Sequence, residues 1–351
     1  MIDVAVVATT QKQTPAMSDS TEPELMVELI SGVRERAGVT QDDIGFTCSG
    51  SSDFLAGQAF SFVMTLDAVG AVPPISESHV EMDGAWALYE AWVKLQMGEI
   101  DTALVYSYGK SSPGSLRDVL CTQLDPYYLA PLWPDAFAVG ALQARSMLEA
   151  GAVSEQRMAE IAVRSHNNAM TSEHAVRRGP LTAAEALQSP VVADPLRATD
   201  LPAAADGGVA VILAAGDRAR SMCERPAWIR GIDHRIDAHN LSARDLTAAP
   251  SVALAGAKAG VGDDKVDLAE LHGPFTHQEH LIEQELGLDE GATTINPSGG
   301  ALAGHTMMAA GLMRIAEAAD RVSAGEGDRA VAHATSGPVL QQNLVCVLEG
   351  E

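Results

Sequence analysis

Short apolar runs alternate along this chain with longer stretches whose apolar residues recur every three or four positions. The first run, IDVAVVAT at 2–9, reads as a strand. Residues 21–37 then place Leu25, Met26, Leu29, Ile30, Val33 and Ala37 on one stripe, which predicts a helix. Thr21 with Glu24 gives a capping-box pattern at its start, and Gly38 stands where a left-handed residue stops a helix. Further strands are predicted at 42–48, 102–108 and 207–215, and helices at 84–97, near 135–148, at 155–169 and at 182–187. The same grammar returns afterwards as strand 227–232, helix 250–259, strand 266–271, helices 276–286 and 301–323, and strands 329–335 and 342–348. Such alternation predicts an α/β architecture with helices on both faces of the sheet.

The pattern also echoes itself. Residues 79–109 run as loop, helix, acidic turn (Glu99, Asp101) and strand, ending in Tyr108-Gly109; residues 296–337 run as Gly-rich loop, helix, acidic turn (Glu326, Asp328) and strand, ending in Ser336-Gly337. The offset of 227 residues between Asp101 and Asp328 is too long for a solenoid repeat and predicts a duplicated half instead. We divide the chain into a first half, 1–220, and a second, 221–351, with no Pro-, Gly- or Ser-rich linker between them. Residues 109–134 resist assignment, because prolines break the periodicity and Tyr127, Tyr128 and Trp133 crowd the far end. A long irregular segment of this kind reads as a functional loop or an interface flap.

Composition narrows the function classes. Hydrophobic residues make up 46% of the 351 residues and charged residues 20%, as in a globular protein rather than a disordered one. The net charge of −24 repels a phosphate backbone and an anionic bilayer, so neither nucleic acid nor a membrane is an expected partner. The four cysteines are widely spaced without a C-x-x-C, which predicts neither disulfides nor zinc and suits a reducing cytoplasm. No signal peptide or membrane span is read. Phosphate loops of the G-x-G-x-x-G or Walker type, G-x-S-x-G and H-E-x-x-H are all absent.

Chemistry concentrates at strand-to-helix junctions. Glu81 and Asp83 in HVEMDG, and the run from Asn296 through Gly299 and Gly300 to His305, precede predicted helices, whose free N–H groups can stabilise developing negative charge. Capping is the plain alternative for the two carboxylates. His272 follows a predicted strand directly, where α/β sheets place ligands, although a structural imidazole is the plain alternative for it and for His305. His277 and His280 fall on the following helix and are expected at a surface or interface.

Four ordered segments resemble the thiolase superfamily, in particular thiolases of the sterol-carrier-protein-X type: ELHGPFTHQE at 270–279, NPSGGALAGH at 296–305, RRGPLTAAEALQSPVVADPLRATDLPAAADGGVAVILAA at 177–215 and LQQNLVCVLE at 340–349. The resemblance implies a duplicated αβαβα layered fold. It also exposes departures. Glu81 occupies the register of the nucleophilic Cys, Pro274 stands on the Cys of the His-Asp-Cys-Phe segment, and Val339 lies near the second catalytic Cys. Without a thiolate there is no ordinary acyl-enzyme, so thiolysis is not expected.

By the same resemblance, His272 and His305 hold a thioester oxygen, and Asn296, Gly299 and Gly300 in the supporting loop and Gly337 in the C-terminal one are expected to bind the substrate. Two donors on one oxygen stabilise an enolate, which a retro-aldol cleavage needs together with a base. Candidate bases are Glu81, Asp83, Tyr127 and Tyr128. The chain further resembles lipid-transfer-like side-chain aldolases of actinobacterial steroid catabolism, which implies an aldol-lyase acting on a β-hydroxyacyl-CoA. Coenzyme A then enters as part of the substrate with no other cofactor and no metal, and an OB-fold acyl-CoA-binding protein and a thiolase-like homo- or heterodimer are the implied partners. Two other readings stay open: a non-catalytic subunit that scaffolds a paralogous catalytic chain, and acyl-CoA binding without turnover.

Overall fold

A computed structural model describes residues 2–17 and 19–351. The strands among the described residues are β1 (Val4–Thr14), β2 (Phe46–Gly50), β3 (Glu77–Val80), β4 (Thr102–Gly109), β5 (Val191–Ala193), β6 (Leu196–Arg197), β7 (Asp206–Ala215), β8 (Ala227–Ile236), β9 (Leu268–Leu271), β10 (Thr294–Ile295), β11 (Arg329–Ser336) and β12 (Gln342–Glu349). β5 and β6 pair only with each other, and the rest form one sheet in the order β10-β9-β11-β12-β8-β1-β7-β4-β2-β3. The order is a palindrome of two five-strand units that meet where β1 pairs antiparallel with β8, Ala5 opposite Trp228. Pairing senses match as well. The three outer strands of each unit are parallel, β3-β2-β4 and β10-β9-β11, and the next two are antiparallel. The segments 79–109 and 296–337 therefore occupy equivalent places.

Helices fill three layers around the two halves of this sheet. Gly84–Gln96 and Ala310–Ser323 lie between them, and their small residues, Ala85, Ala87 and Ala91 on one and Ala310, Gly311, Ala316 and Ala319 on the other, permit burial on nearly every side. Glu22–Ala37 covers the outer face of the first half and Pro250–Ala259 that of the second, each through an apolar stripe. The capping box at Thr21 and the left-handed Gly38 bound the first of these as the sequence predicts. The result is the expected αβαβα arrangement.

Several local expectations need correction. The strand predicted at 42–48 begins only at Phe46, because Asp43 turns back to accept from the N–H and hydroxyl of Thr40 and closes a short turn at Gln41–Asp43. The helix predicted at 301–323 is broken into Gly300–Ala303, a bend at Gly304–Thr306, a turn at Met307–Ala309 and the helix Ala310–Ser323. His305 is held there strand-like, its N–H donating to Ala203 O and its carbonyl accepting from Ala205 N. His277 is fully buried rather than at a surface, stacked on Phe275 with ring centroids 5.7 Å apart, and burial pushes its pKa down to about 3. Its helix, Thr276–Glu285, is covered by Glu155–Asn168, whose Arg164 pairs with Glu279 and Glu283, so both faces are enclosed. Residues 109–134 contain a helix at Leu116–Cys121 and a turn at Ala130–Leu132. No helix among the described residues is long and apolar enough to cross a membrane.

Candidate functional site

β9 ends at Leu271, and the next residue, His272, turns its ring toward the bend that carries His305. The two Nε2 atoms lie 2.9 Å apart, with ring centroids separated by 5.1 Å. Both residues are buried, His272 at 3% exposure and His305 at 9%. Hydrogen bonding fixes their protons. Thr335 N–H donates to His272 Nδ1 at 3.3 Å, so that nitrogen carries no proton, and the neutral ring holds its proton on Nε2. That N–H donates to His305 Nε2, which leaves His305 protonated on Nδ1, an atom without a hydrogen-bond partner among the described residues. In this geometry the pair is a donor in series with one outward N–H, because two N–H groups cannot face each other at 2.9 Å.

Electrostatics keep both rings neutral. Burial pushes the pKa of His305 down to about 4, helped by the positive charge of Arg314. Burial likewise holds His272 well below the ordinary histidine value, with His305, His333 and Arg314 adding to the effect. A neutral imidazole with so low a pKa is a weak base and a serviceable hydrogen-bond donor.

The loops around the pair are held by strained backbone. Asn296, Met307 and Leu340 adopt positive φ of 46°, 52° and 59°, conformations that cost a non-glycine residue on the order of 1–3 kcal/mol and collect at functional sites. Asn296 is fully buried; its Oδ1 accepts from Leu271 N–H at 2.6 Å and so fixes the residue before His272. Gly299 and Gly300 follow with φ of 94° and 64°, and a Cβ on Gly300 would stand 2.6 Å from Asn296 Nδ2. Gly337, at φ 89°, turns the chain after β11. These glycines act through backbone shape.

The four candidate bases separate clearly. Asp83 is fully committed. Buried at the start of Gly84–Gln96, it accepts from Ala85 N at 2.8 Å and from Gly311 N and Leu312 N at 2.7 and 3.0 Å, capping both central helices at once. Burial pushes its pKa up to about 7 against those bonds. Glu81 is half exposed, accepts from Asp53 N at 2.7 Å and faces His79 at 3.6 Å, with no hydrogen bond to either imidazole among the described residues. Tyr127 and Tyr128 are 81% and 73% exposed, their backbone N–H groups held by Asp125, and the structure does not bring them to the pair. The halves do meet nearby: the Ser107 hydroxyl, near the end of β4, lies 2.7 Å from both Gly50 O and Met308 O, with its one proton to share between them.

No cysteine belongs to this site. Cys48 lies on β2 with its pKa pushed up to about 12 by burial, Cys346 lies on β12 with its thiol pushed up likewise, Cys121 ends Leu116–Cys121, and Cys223 follows Gly216–Met222. Among the described residues no cluster of His, Cys, Asp or Glu is placed to hold a metal ion. Sequence reasoning missed Thr335, whose backbone contact leaves no side-chain signal. It also missed Glu270 and Arg314, although Glu270 lies only two residues before His272, near the end of the strand that leads into it.

No protein-family model matches the chain. The acetyl-CoA acetyltransferase of Methanothermobacter thermautotrophicus is 28% identical over 96% of this chain and 95% of its own length. Sterol carrier protein 2 of Gallus gallus is 25% identical over 97% of this chain and 69% of its length. The benzoylsuccinyl-CoA thiolase subunit BbsB of Thauera aromatica is 29% identical over 49% of this chain and 50% of its own. Among solved structures, the Ltp2-ChsH2(DUF35) aldolase superposes with a TM-score of 0.79 at 20% identity, covering 99% of this chain and 97% of that one. The fold is thiolase-like.

Proposed function

We propose that this chain is a carbon–carbon lyase that cleaves a β-hydroxyacyl-CoA by retro-aldol chemistry without a cysteine nucleophile. The observation that carries the reading is the neutral His272–His305 pair with one outward N–H, in a thiolase-like fold with no thiol beside it. In the proposed reaction Glu81 takes the proton of the β-hydroxyl. The Cα–Cβ bond breaks, its electron pair passes into the thioester carbonyl, and a ketone or aldehyde departs. The resulting enolate oxygen accepts from His305 Nδ1–H, with His272 holding the tautomer from behind. Glu81 then returns the proton to Cα, so the acyl-CoA leaves with atoms and charge balanced.

Of the four candidate bases, Glu81 is the carboxylate with solvent access and spare lone pairs, which supports its choice. The name of the structural neighbour joins Ltp2 to ChsH2(DUF35), which supports an OB-fold acyl-CoA-binding partner here, while a bulky, steroidal side chain in the substrate is proposed on the sequence resemblance alone. The net charge of −24 agrees with a partner that supplies the cationic surface coenzyme A needs. A thiolase-like dimer, formed by two copies or with a paralogous chain, completes the assembly. A second reading, a non-catalytic subunit beside a catalytic paralogue, draws on the loss of both cysteine positions and on BbsB being named a subunit. Incubating the chain alone and with candidate partners on a β-hydroxyacyl-CoA, and quantifying released ketone and acyl-CoA, separates the two. Cleavage that needs a partner yet survives loss of both His272 and His305 here would assign the scaffold.

A further inference from the structure

Behind the imidazole pair lies a buried charged cluster that the proposed chemistry does not touch. Glu270 is fully buried on β9, two residues before His272. Its Oε1 accepts from Ser298 N–H at 2.9 Å; its Oε2 accepts from Ser298 Oγ–H at 2.6 Å and from Arg314 Nη1–H at 2.8 Å. Arg314, itself 2% exposed on the central helix Ala310–Ser323, also donates to Ser298 Oγ. One carboxylate thus ties together three segments: the strand that leads into His272, the loop that leads to His305, and the helix that follows His305. The network continues outward through Arg321, 3.9 Å from Glu270 and 3.8 Å from Glu317, to Gln11, which donates to Glu317 at 2.7 Å.

Stability alone does not explain such a cluster. Removing a carboxylate and a guanidinium from water is costly for each ion, and their attraction commonly does no more than offset that cost. A fork of bonds from one carboxylate does, however, fix relative positions, because the carboxylate oxygens and the planar guanidinium accept little angular error. Ser298 matters most. Its backbone N–H and hydroxyl both bond Glu270, and it lies in the same loop as Asn296, whose side chain holds Leu271.

We infer that Glu270, Ser298 and Arg314 form a positioning cluster that sets the spacing and donor order of the His272–His305 pair; only its effect on turnover rests on the lyase reading. The test uses the full chain, with the tautomers of both imidazoles read by long-range proton–nitrogen NMR. In the unaltered protein His272 carries its proton on Nε2 and His305 on Nδ1. Ser298→Ala is expected to give folded protein in which His305 populates both tautomers, and to lower kcat on a β-hydroxyacyl-CoA by about tenfold to a hundredfold with KM unchanged. Gln11→Ala, at the outer end of the network, leaves tautomers and kcat unaltered.

Glu270→Gln keeps the side chain's size and gives a second perturbation should Ser298→Ala not fold. Folded variants with unaltered tautomers overturn the cluster's role, whatever the chain's activity. Unfolding of both variants under conditions where Gln11→Ala is folded also overturns it, in favour of a purely structural one. Shifted tautomers in a chain that cleaves no β-hydroxyacyl-CoA, alone or with a partner, uphold the cluster and sink the lyase reading.

Discussion

Replacing Asp83 with alanine separates a helix cap from a catalytic base. The carboxylate accepts three buried backbone N–H groups, from Ala85, Gly311 and Leu312. Each donor left without a partner costs roughly 1–3 kcal/mol, so the loss starts at about 3 kcal/mol where the carboxyl itself is at ease. It is not at ease at every pH. Burial raises its pKa from 3.8 to about 7, so between those values the native state holds a proton that the unfolded state has released. Asp83 therefore contributes less stability as pH rises from about 4 to 7. Between about pH 5 and pH 8 the decline integrates to roughly 2–3 kcal/mol.

Asp83→Ala removes that dependence. The variant should fall furthest below the unaltered protein at pH 5, and the gap should narrow by this amount at pH 8. Urea unfolding of both proteins at the two pH values measures it. A gap that widens toward pH 8 would mean that the N–H groups and two helix N-termini favour the anion more strongly than burial opposes it, and the reasoning would be refuted.

Other outcomes follow from the site. Glu81→Gln should lower turnover by about 10²–10⁴ while the urea midpoint stays put, because the side chain is half exposed; unchanged turnover removes Glu81 as the base. Tyr127→Phe and Tyr128→Phe should leave turnover intact, and a loss on the order of 10² in either would make that phenol the base instead. Because burial pushes His305 down to about 4 and holds His272 well below its ordinary value, kcat/KM should show no limb at the ordinary histidine value of 6.5, and a limb there contradicts the neutral pair. The proposed dimer should appear by sedimentation at micromolar concentration, where a stable monomer would count against it.

Much of this arrangement was legible from residue pattern. The two helical stripes, the repeated loop-helix-strand unit and the strand leading into His272 rest on local periodicity and end signals, which the chain states directly. The break at Gly304–Thr306 was not, because apolar residues continue on both sides and the interruption comes from Ala203 and Ala205, about a hundred residues away in the sequence. His277 looked polar and exposed for a similar reason: a helix packed on a second face by Arg164 carries no local mark of that cover. Nor could spacing reveal that Asp83 caps two helices, since the second belongs to the other half. The carboxylates and imidazoles could be nominated from sequence, whereas their division into cap, donor pair and exposed acid depended on long-range contacts.

Cleavage without a thiol is the most exposed point of this account. The direct measurement is product analysis on a protein in which Cys48, Cys121, Cys223 and Cys346 are all alanine, checked for folding by circular dichroism and compared with His305→Ala. The cysteine-free protein should still release ketone or aldehyde and acyl-CoA in equal amounts from a β-hydroxyacyl-CoA, alone or with a candidate partner, while His305→Ala slows release by roughly 10²–10³. A folded cysteine-free protein that no longer cleaves, or thiolysis of a β-ketoacyl-CoA by the unaltered chain, would contradict it.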